Sequence, residues 1–435
     1  MGNKEVELGR KEYVAKTSQV SYFPVAFTRG EGAILYDEDG NRYIDFLSSA
    51  SSSNLGHGNK AVAKAVYDQM CNLSQYTFAY FNQSPAVKLA EELTKLIDFG
   101  SKMRVSFSTT GSASIDAAIK FARGYTGRSK IISMYEAYHG STFGSISLSA
   151  LSLNMRRKIG PLLPEVYHFS YPTKKKSWQE CIAEMEYAFS KYLPPEEVAA
   201  IFIEPIAGDM GLVDPPKEWV KALREICDKY GILLVSDEVQ LALCRTGKWF
   251  CIENFDVKAD MYVLGKSLGG GLPVGAVIGR EEILQSLDAP AHLFTLAGSS
   301  ATMAAALENL NQLKLMDANK QSIEKGKYLK EKFEKLKEKY DFIGDIRGYG
   351  LSIGVDIVKP GTDEKNTVAT TKIIYNCNKN GLVQIFLNQS TLRVQPPLVI
   401  TYEEIDEAME IMENAMEDYA QGRIPDSVLD EVAGW

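Results

Sequence analysis

Two hydrophobic patterns divide the chain. Between residues 31 and 47 apolar and polar positions alternate around Asp39-Gly40, so Ala33-Ile-Leu-Tyr36 and Arg42-Tyr-Ile-Asp-Phe46 are expected to pair as a hairpin. From about residue 61 the pattern changes to helical periods separated by short apolar runs. Helices are expected over 85–97, 113–125 and 216–229, and strands over 103–107, 130–133, 199–204, 232–236 and 261–264. That rhythm predicts an α/β sheet clothed by helices.

A long helical stretch follows Gly298 and runs, with a break near Asp317, to about Tyr340. Its Leu307, Leu310 and Leu313 recur at threes and mark a packed stripe. Beyond it, Gly350–Val355, Leu382–Ile385 and Leu392–Val394 are expected as strands, and 367–379 and 402–419 as helices, which makes a smaller α+β domain. The expected division is an N-terminal segment, 1–60, contributing to the small domain, a large domain over 61–325, and the small domain over 326–435. The tail from Gly422 lacks periodicity and ends in Trp435, an aromatic expected to dock back.

Composition narrows the function classes. A chain of 435 residues with 45% hydrophobic content can bury a large core. Its net charge of -8 and the absence of a long basic run give no electrostatic footprint for nucleic acid or an anionic membrane. Runs such as Val198–Ile203 fall far short of the roughly 20 apolar residues that span a bilayer. Six cysteines without a C-x-x-C pair, and only four histidines to join them, suit a reduced cytoplasmic protein without a structural metal.

The candidate chemistry centres on two strand ends. Gly231-Ile-Leu-Leu-Val-Ser-Asp237 reads as a buried strand with a carboxylate at its C-terminal end, where open α/β sheets place ligands. An aspartate there can equally cap the following turn. The next expected strand closes at Leu264-Gly265 and is followed by Lys266, costly to bury as a free ammonium but useful as an amine for an aldehyde cofactor. Gly265-Lys266-Ser267 is not the end of a nucleotide P-loop, because Asp260 stands where that motif requires glycine. Ser108-Thr-Thr-Gly111-Ser112-Ala-Ser114 places a glycine- and serine-rich helix start after a strand, suited to an anion or to an ordinary N-cap. Tyr138-His139-Gly140 offers a flat aromatic beside a flexible glycine, able to cover a heteroaromatic ring or to complete a core.

On Asp237-Glu-Val-Gln240, Arg245-Thr-Gly247 and Gly265-Lys266-Ser267, the chain resembles the class III aminotransferases over nearly its whole length. The resemblance implies the fold type I architecture of pyridoxal-phosphate enzymes: a large α/β domain with a mostly parallel central sheet, and a small α+β domain. It implies pyridoxal 5′-phosphate as cofactor, covalently linked to Lys266, with Asp237 on the pyridine nitrogen and Gln240 on the ring 3-oxygen. Gly111 and Ser112 match the phosphate loop, Tyr138 the stacking aromatic, and Thr295 a phosphate ligand lent by a neighbouring subunit. Arg393 matches the arginine that receives a substrate α-carboxylate, and Glu204-Pro205 an element that frames the site. A homodimer or dimer of dimers with interfacial active sites is implied as well.

One departure bears on the reaction. Where aminotransferases of the family have Glu-Pro-Ile-Gln-Gly-Glu-Gly, this chain has Glu204-Pro-Ile-Ala-Gly-Asp209-Met-Gly. In that feature, in Ser286–Thr295 and in Gln395–Ile400, it is similar to the branched-chain amino-acid racemases and 2-epimerases built on the same scaffold. That likeness implies Lys266 and Asp209 as a two-base pair inverting Cα of a hydrophobic amino acid. The alternatives are an Asp209 that only balances Arg393, and an aminotransferase that passes the amino group to a 2-oxo acid.

Overall fold

The structure is a computed structural model that describes residues 1–432 and 434; Trp435, expected to dock back, lies outside the described residues. The chain divides into two compact units, one of Lys60–Cys244 and Lys248–Met316, the other of Met1–Asn59, Arg245–Gly247 and Asp317–Trp435. The later cut falls ahead of 325/326, at the break between the helices Ser300–Leu315 and Ala318–Lys339, where Asp317 adopts a left-handed φ of 50°. No helix among the described residues is long and apolar enough to cross a membrane.

Strands are numbered along the chain. In the smaller unit, β1 (Phe27–Glu31), β2 (Ile34–Asp37) and β3 (Arg42–Asp45) run antiparallel, with Ile34 opposite Ile44. The hairpin read from the alternation is therefore present, with β1 added outside it.

The larger unit is a seven-stranded sheet of β4 (Met103–Ser108), β5 (Lys130–Met134), β6 (Val166–Phe169), β7 (Val198–Ile203), β8 (Leu233–Asp237), β9 (Met261–Leu264) and β10 (Gly275–Arg280). Their spatial order is β4-β10-β9-β8-β7-β5-β6. Only β10 runs against the others, pairing antiparallel with both β4 and β9. The strands β7, β8 and β9 are buried along their whole length, which is why they appear as continuous apolar runs without alternation. The helix Gly111–Thr126 buries Ile115, Ala118, Ile119 and Ala122 against Phe202, Val235 and Val263. That i, i+3, i+4, i+7 stripe is what selects a helix here, and each buried isoleucine contributes about 1.5–3 kcal/mol.

The rest of the smaller unit adds β11 (Ile343–Tyr349), β12 (Ser352–Ile357), β13 (Leu382–Val383), β14 (Phe386–Leu387) and β15 (Thr391–Val394). Here the expected single strand Leu382–Ile385 is two short ones. β13 pairs parallel with β3, while β14 pairs antiparallel with β15, so the chain switches sheets between them. The fully buried Arg245 staples this unit, donating to the carbonyls of Leu351 (3.0 Å) and Pro396 and to Asn54 Oδ1 (2.7 Å).

Candidate active site

Because β4, β5, β7, β8 and β9 point the same way, the residues just after them gather at one edge of the sheet. Gly111 follows β4, Tyr138 follows β5, Glu204 follows β7, Asp237 ends β8 and Lys266 follows β9. Sheet order, not sequence proximity, makes them neighbours.

Contacts close the group into a ring. A Cβ on Gly265 would stand 2.9 Å from Gly111 Cα, so the lysine turn and the helix start touch backbone to backbone. A Cβ on Gly111 would fall 2.7 Å from Val239, which leads to Gln240. One on Gly140 would collide with Ser112 Oγ, while Ser141 N donates to that hydroxyl at 3.1 Å. On the far side, a Cβ on Gly208 would lie 2.5 Å from Gln240 Oε1, which sets Asp209 next to the glutamine. Asp209 is 7% exposed and Gln240 8%.

Asp237 is held by a residue given no certain role in the sequence. His139 Nδ1 lies 2.6 Å from Asp237 Oδ2, and Val239 N donates to Asp237 Oδ1 at 3.1 Å. The turn-capping reading of Asp237 is thus met by one oxygen, and the other faces the imidazole. Burial disfavours the charged imidazole, but the hydrogen bond and charge of Asp237 outweigh it and raise the His139 pKa above its ordinary 6.5. The contact spans 98 positions, and nothing local in Tyr138-His139-Gly140 signals it.

Glu204, expected from the family resemblance to help frame the site, bonds two loops. It is 8% exposed; Oε1 accepts from Tyr138 N at 2.8 Å and Oε2 from Gly208 N at 2.9 Å. Burial pushes its carboxyl up from 4.5 to about 7, with His139 opposing and Asp237 and Asp209 adding to the rise. Lys266 itself is half-buried at a φ of 40°, a left-handed conformation costing about 1–3 kcal/mol for a side-chain-bearing residue.

This edge has the features a pyridoxal phosphate needs. The helix start at Gly111 and Ser112 can hold a phosphate, its N-cap Thr110 satisfying only Ala113 N through the side chain. Asp237, backed by His139, can keep a ring nitrogen protonated. Gln240 Oε1 is buried without a hydrogen-bond partner among the described residues, as expected of a side chain that meets a ligand. Lys266 can supply the amine.

Two further residues expected at the site are described within their own units. Thr295 is exposed, and its carbonyl accepts from Gln75 Nε2 at 3.1 Å. Arg393 belongs to the smaller unit, where it is 3% exposed on β15 opposite Gly354, with Nε donating to Gln395 Oε1 at 2.5 Å.

The family model for class III aminotransferases matches residues 14–416, and the chain belongs to that family. Its fold is the fold type I of pyridoxal-phosphate enzymes. Among curated relatives, it is 42% identical to the isoleucine 2-epimerase of Lentilactobacillus buchneri, covering 95% of this chain and 94% of that one. It is 39% identical to the leucine/methionine racemase of Thermococcus litoralis, covering 97% of each. Among solved structures, the taurine:2-oxoglutarate aminotransferase of Bifidobacterium kashiwanohense, in complex with PLP and glutamate, superposes with a TM-score of 0.90 at 28% identity, covering 98% of this chain and 99% of that one.

Proposed function

We propose that the chain is a pyridoxal 5′-phosphate-dependent racemase, a 2-epimerase that inverts Cα of hydrophobic or branched-chain amino acids such as isoleucine. The observation that carries this reading is the near full-length similarity to an isoleucine 2-epimerase and a leucine/methionine racemase. When bound, the cofactor draws electron density from Cα of an amino acid joined to it and makes the Cα hydrogen acidic. Lys266 Nζ takes that hydrogen as a proton on one face, and the Asp209 carboxyl delivers a proton to the other.

The remaining residues bind and orient. Asp237 holds the proton on the ring nitrogen, with His139 fixing the carboxylate. Gln240 meets the ring 3-oxygen, Tyr138 covers the ring, and Gly111 and Ser112 take the phosphate. Arg393 is assigned to the substrate α-carboxylate. The low exposure of Asp209 suits a carboxyl that acts on a bound substrate.

The protein is read as a homodimer or a dimer of dimers. Tyr67, Met70, Tyr80, Phe81, Phe294 and Leu296 are exposed apolar side chains of the larger unit, of the kind a second copy would cover. Thr295 sits between the last two and is assigned to the phosphate of the neighbouring subunit. Six free thiols, five of them buried, suit a reducing compartment such as the cytoplasm.

The deciding measurement incubates holoenzyme with L-isoleucine in D2O without a 2-oxo acid. The expected product is D-allo-isoleucine carrying deuterium at Cα. Keto acid formed in proportion to enzyme, with the cofactor left in its amino form, would overturn this reading in favour of an aminotransferase.

A further inference from the structure

Asp209 rides on a loop that has little freedom of its own. Ala207 N donates to Val213 O at 2.9 Å and Val213 N returns a bond to Ala207 O at 3.1 Å, closing a one-pair hairpin. Inside it, Leu212 N and Gly211 N both donate to Gly208 O, at 2.8 and 3.1 Å. Leu212 is fully buried at a left-handed φ of 55°, a conformation kept only where surrounding packing enforces it. Below the loop, the buried Tyr171 hydroxyl donates to Pro205 O at 3.1 Å. The loop is thus rigid within itself, and what remains to be set is its position relative to the ring-covering segment.

One carboxyl spans that gap. Glu204 Oε1 takes the backbone N–H of Tyr138, in the loop after β5, and Oε2 takes that of Gly208, next to Asp209. The two segments lie 66 and 4 residues from Glu204 along the chain. Neither bond involves a side chain of the partner residue, so Glu204 holds the backbone positions from which Tyr138 and Asp209 project. The Cβ-free Gly208 also lets this backbone press against Gln240. His139, Asp237, Asp209 and Tyr171 are titratable groups that interact with the carboxyl.

We infer that Glu204 is a positioning residue for proton transfer: by bridging Tyr138 N and Gly208 N it sets the distance between the residue that covers the ring and the carboxyl of Asp209. The inference rests on the reading of Asp209 as the second proton-transfer group. The two bonds of Glu204 go to backbone N–H groups in the Tyr138 and Gly208 segments. Delivery of a proton from the Asp209 side is therefore expected to depend on this bridge more than exchange of the Cα hydrogen on the lysine side.

The test compares Glu204→Gln with Asp209→Asn and with Glu238→Gln, a buried glutamate outside the site. Glutamine keeps the shape of Glu204 but offers one acceptor to two N–H groups. With L-isoleucine in D2O, the ratio of inversion to Cα exchange with retention is expected to fall about tenfold or more in Glu204→Gln. It should fall further in Asp209→Asn and stay at the wild-type value in Glu238→Gln. A purely structural loss lowers both processes together and leaves that ratio unchanged.

Amide hydrogen exchange, followed in apoenzyme and holoenzyme, supplies a readout independent of turnover. In Glu204→Gln the segments holding Tyr138 and Gly208 should exchange faster by about tenfold in at least one of them, while the amides of Cys251 and Ile252 keep their protection. A ratio that falls in Asp209→Asn but holds in Glu204→Gln would overturn the positioning role alone. A ratio unchanged in both variants would overturn the Asp209 reading with it. Unaltered amide exchange at both segments would remove the bridge on which the inference stands.

Discussion

Glu204 and Glu238 sit at the ends of the adjacent strands β7 and β8, and burial pushes both up to about 7 from an ordinary 4.5. Both accept two backbone N–H groups. Glu238, 1% exposed, takes Cys251 N at 2.7 Å and Ile252 N at 2.9 Å, with the Ser236 hydroxyl as a third donor at 2.9 Å. Those amides begin the short 3₁₀ turn Cys251–Phe255, so Glu238 acts as a cap for a turn that carries no candidate site residue. Glu204 has two donors, and each belongs to a loop that carries one. The contrast teaches that a perturbed carboxyl is not itself the mark of a functional residue. What it ties together is.

The largest expected effect breaks the pair apart by stability. Glu238→Ala leaves three buried donors unsatisfied and should cost about 3 kcal/mol or more, since each buried orphan costs roughly 1–3. Denaturant unfolding should rank it below Glu204→Ala. Equal losses in the two variants would mean that the third donor of Glu238 is of no consequence.

A smaller effect follows from the shared pKa direction. A carboxyl whose folded pKa lies above its unfolded one binds protons better in the folded state. Its contribution to stability is therefore fully present below about pH 4.5 and is lost as pH rises through about 7. On the order of 3 kcal/mol per group is at stake. Between pH 5 and pH 8 the wild type should lose more unfolding free energy than the Glu204→Gln/Glu238→Gln double variant. Parallel pH profiles would show that neither carboxyl titrates in that window.

The smallest effect sharpens the site side of the comparison without touching either glutamate. In Gly208→Ala the new Cβ crowds Gln240 Oε1. Overpacking by about 1 kcal/mol predicts roughly fivefold weaker pyridoxal-phosphate binding. Fluorescence titration of the apoenzyme reads this directly, and unchanged affinity would remove Gln240 from the cofactor contacts.

Much of this molecule is legible in local pattern. The strands β5, β7, β8 and β9 and the helix Gly111–Thr126 stand close to where hydrophobic periodicity predicts them, because each buries a face or a whole run that repeats with its own geometry. Lys266, Asp237 and Gly111 are legible for a related reason: each directly ends or follows such a run. The antiparallel β10 and the short β6 escaped the reading. Periodicity carries no information about strand direction, and β6 is a four-residue strand of only half-buried positions up to its last residue.

His139 and Glu204 mark the limit of local reading. Their partners lie 98 and 66 residues away, and a histidine beside a tyrosine or a glutamate before a proline has no local feature that names such a partner. The sequence by itself determined the element types, the strand ends on which Lys266, Asp237 and Gly111 sit, and the replacement of the longer family carboxylate by Asp209. Only the tertiary structure decided that β5, β7 and β8 lie side by side with their C-terminal ends together. Hydrogen bonds act over about 3 Å, whatever the separation along the chain, and so the order of strands in the sheet selects which carboxyl meets which loop.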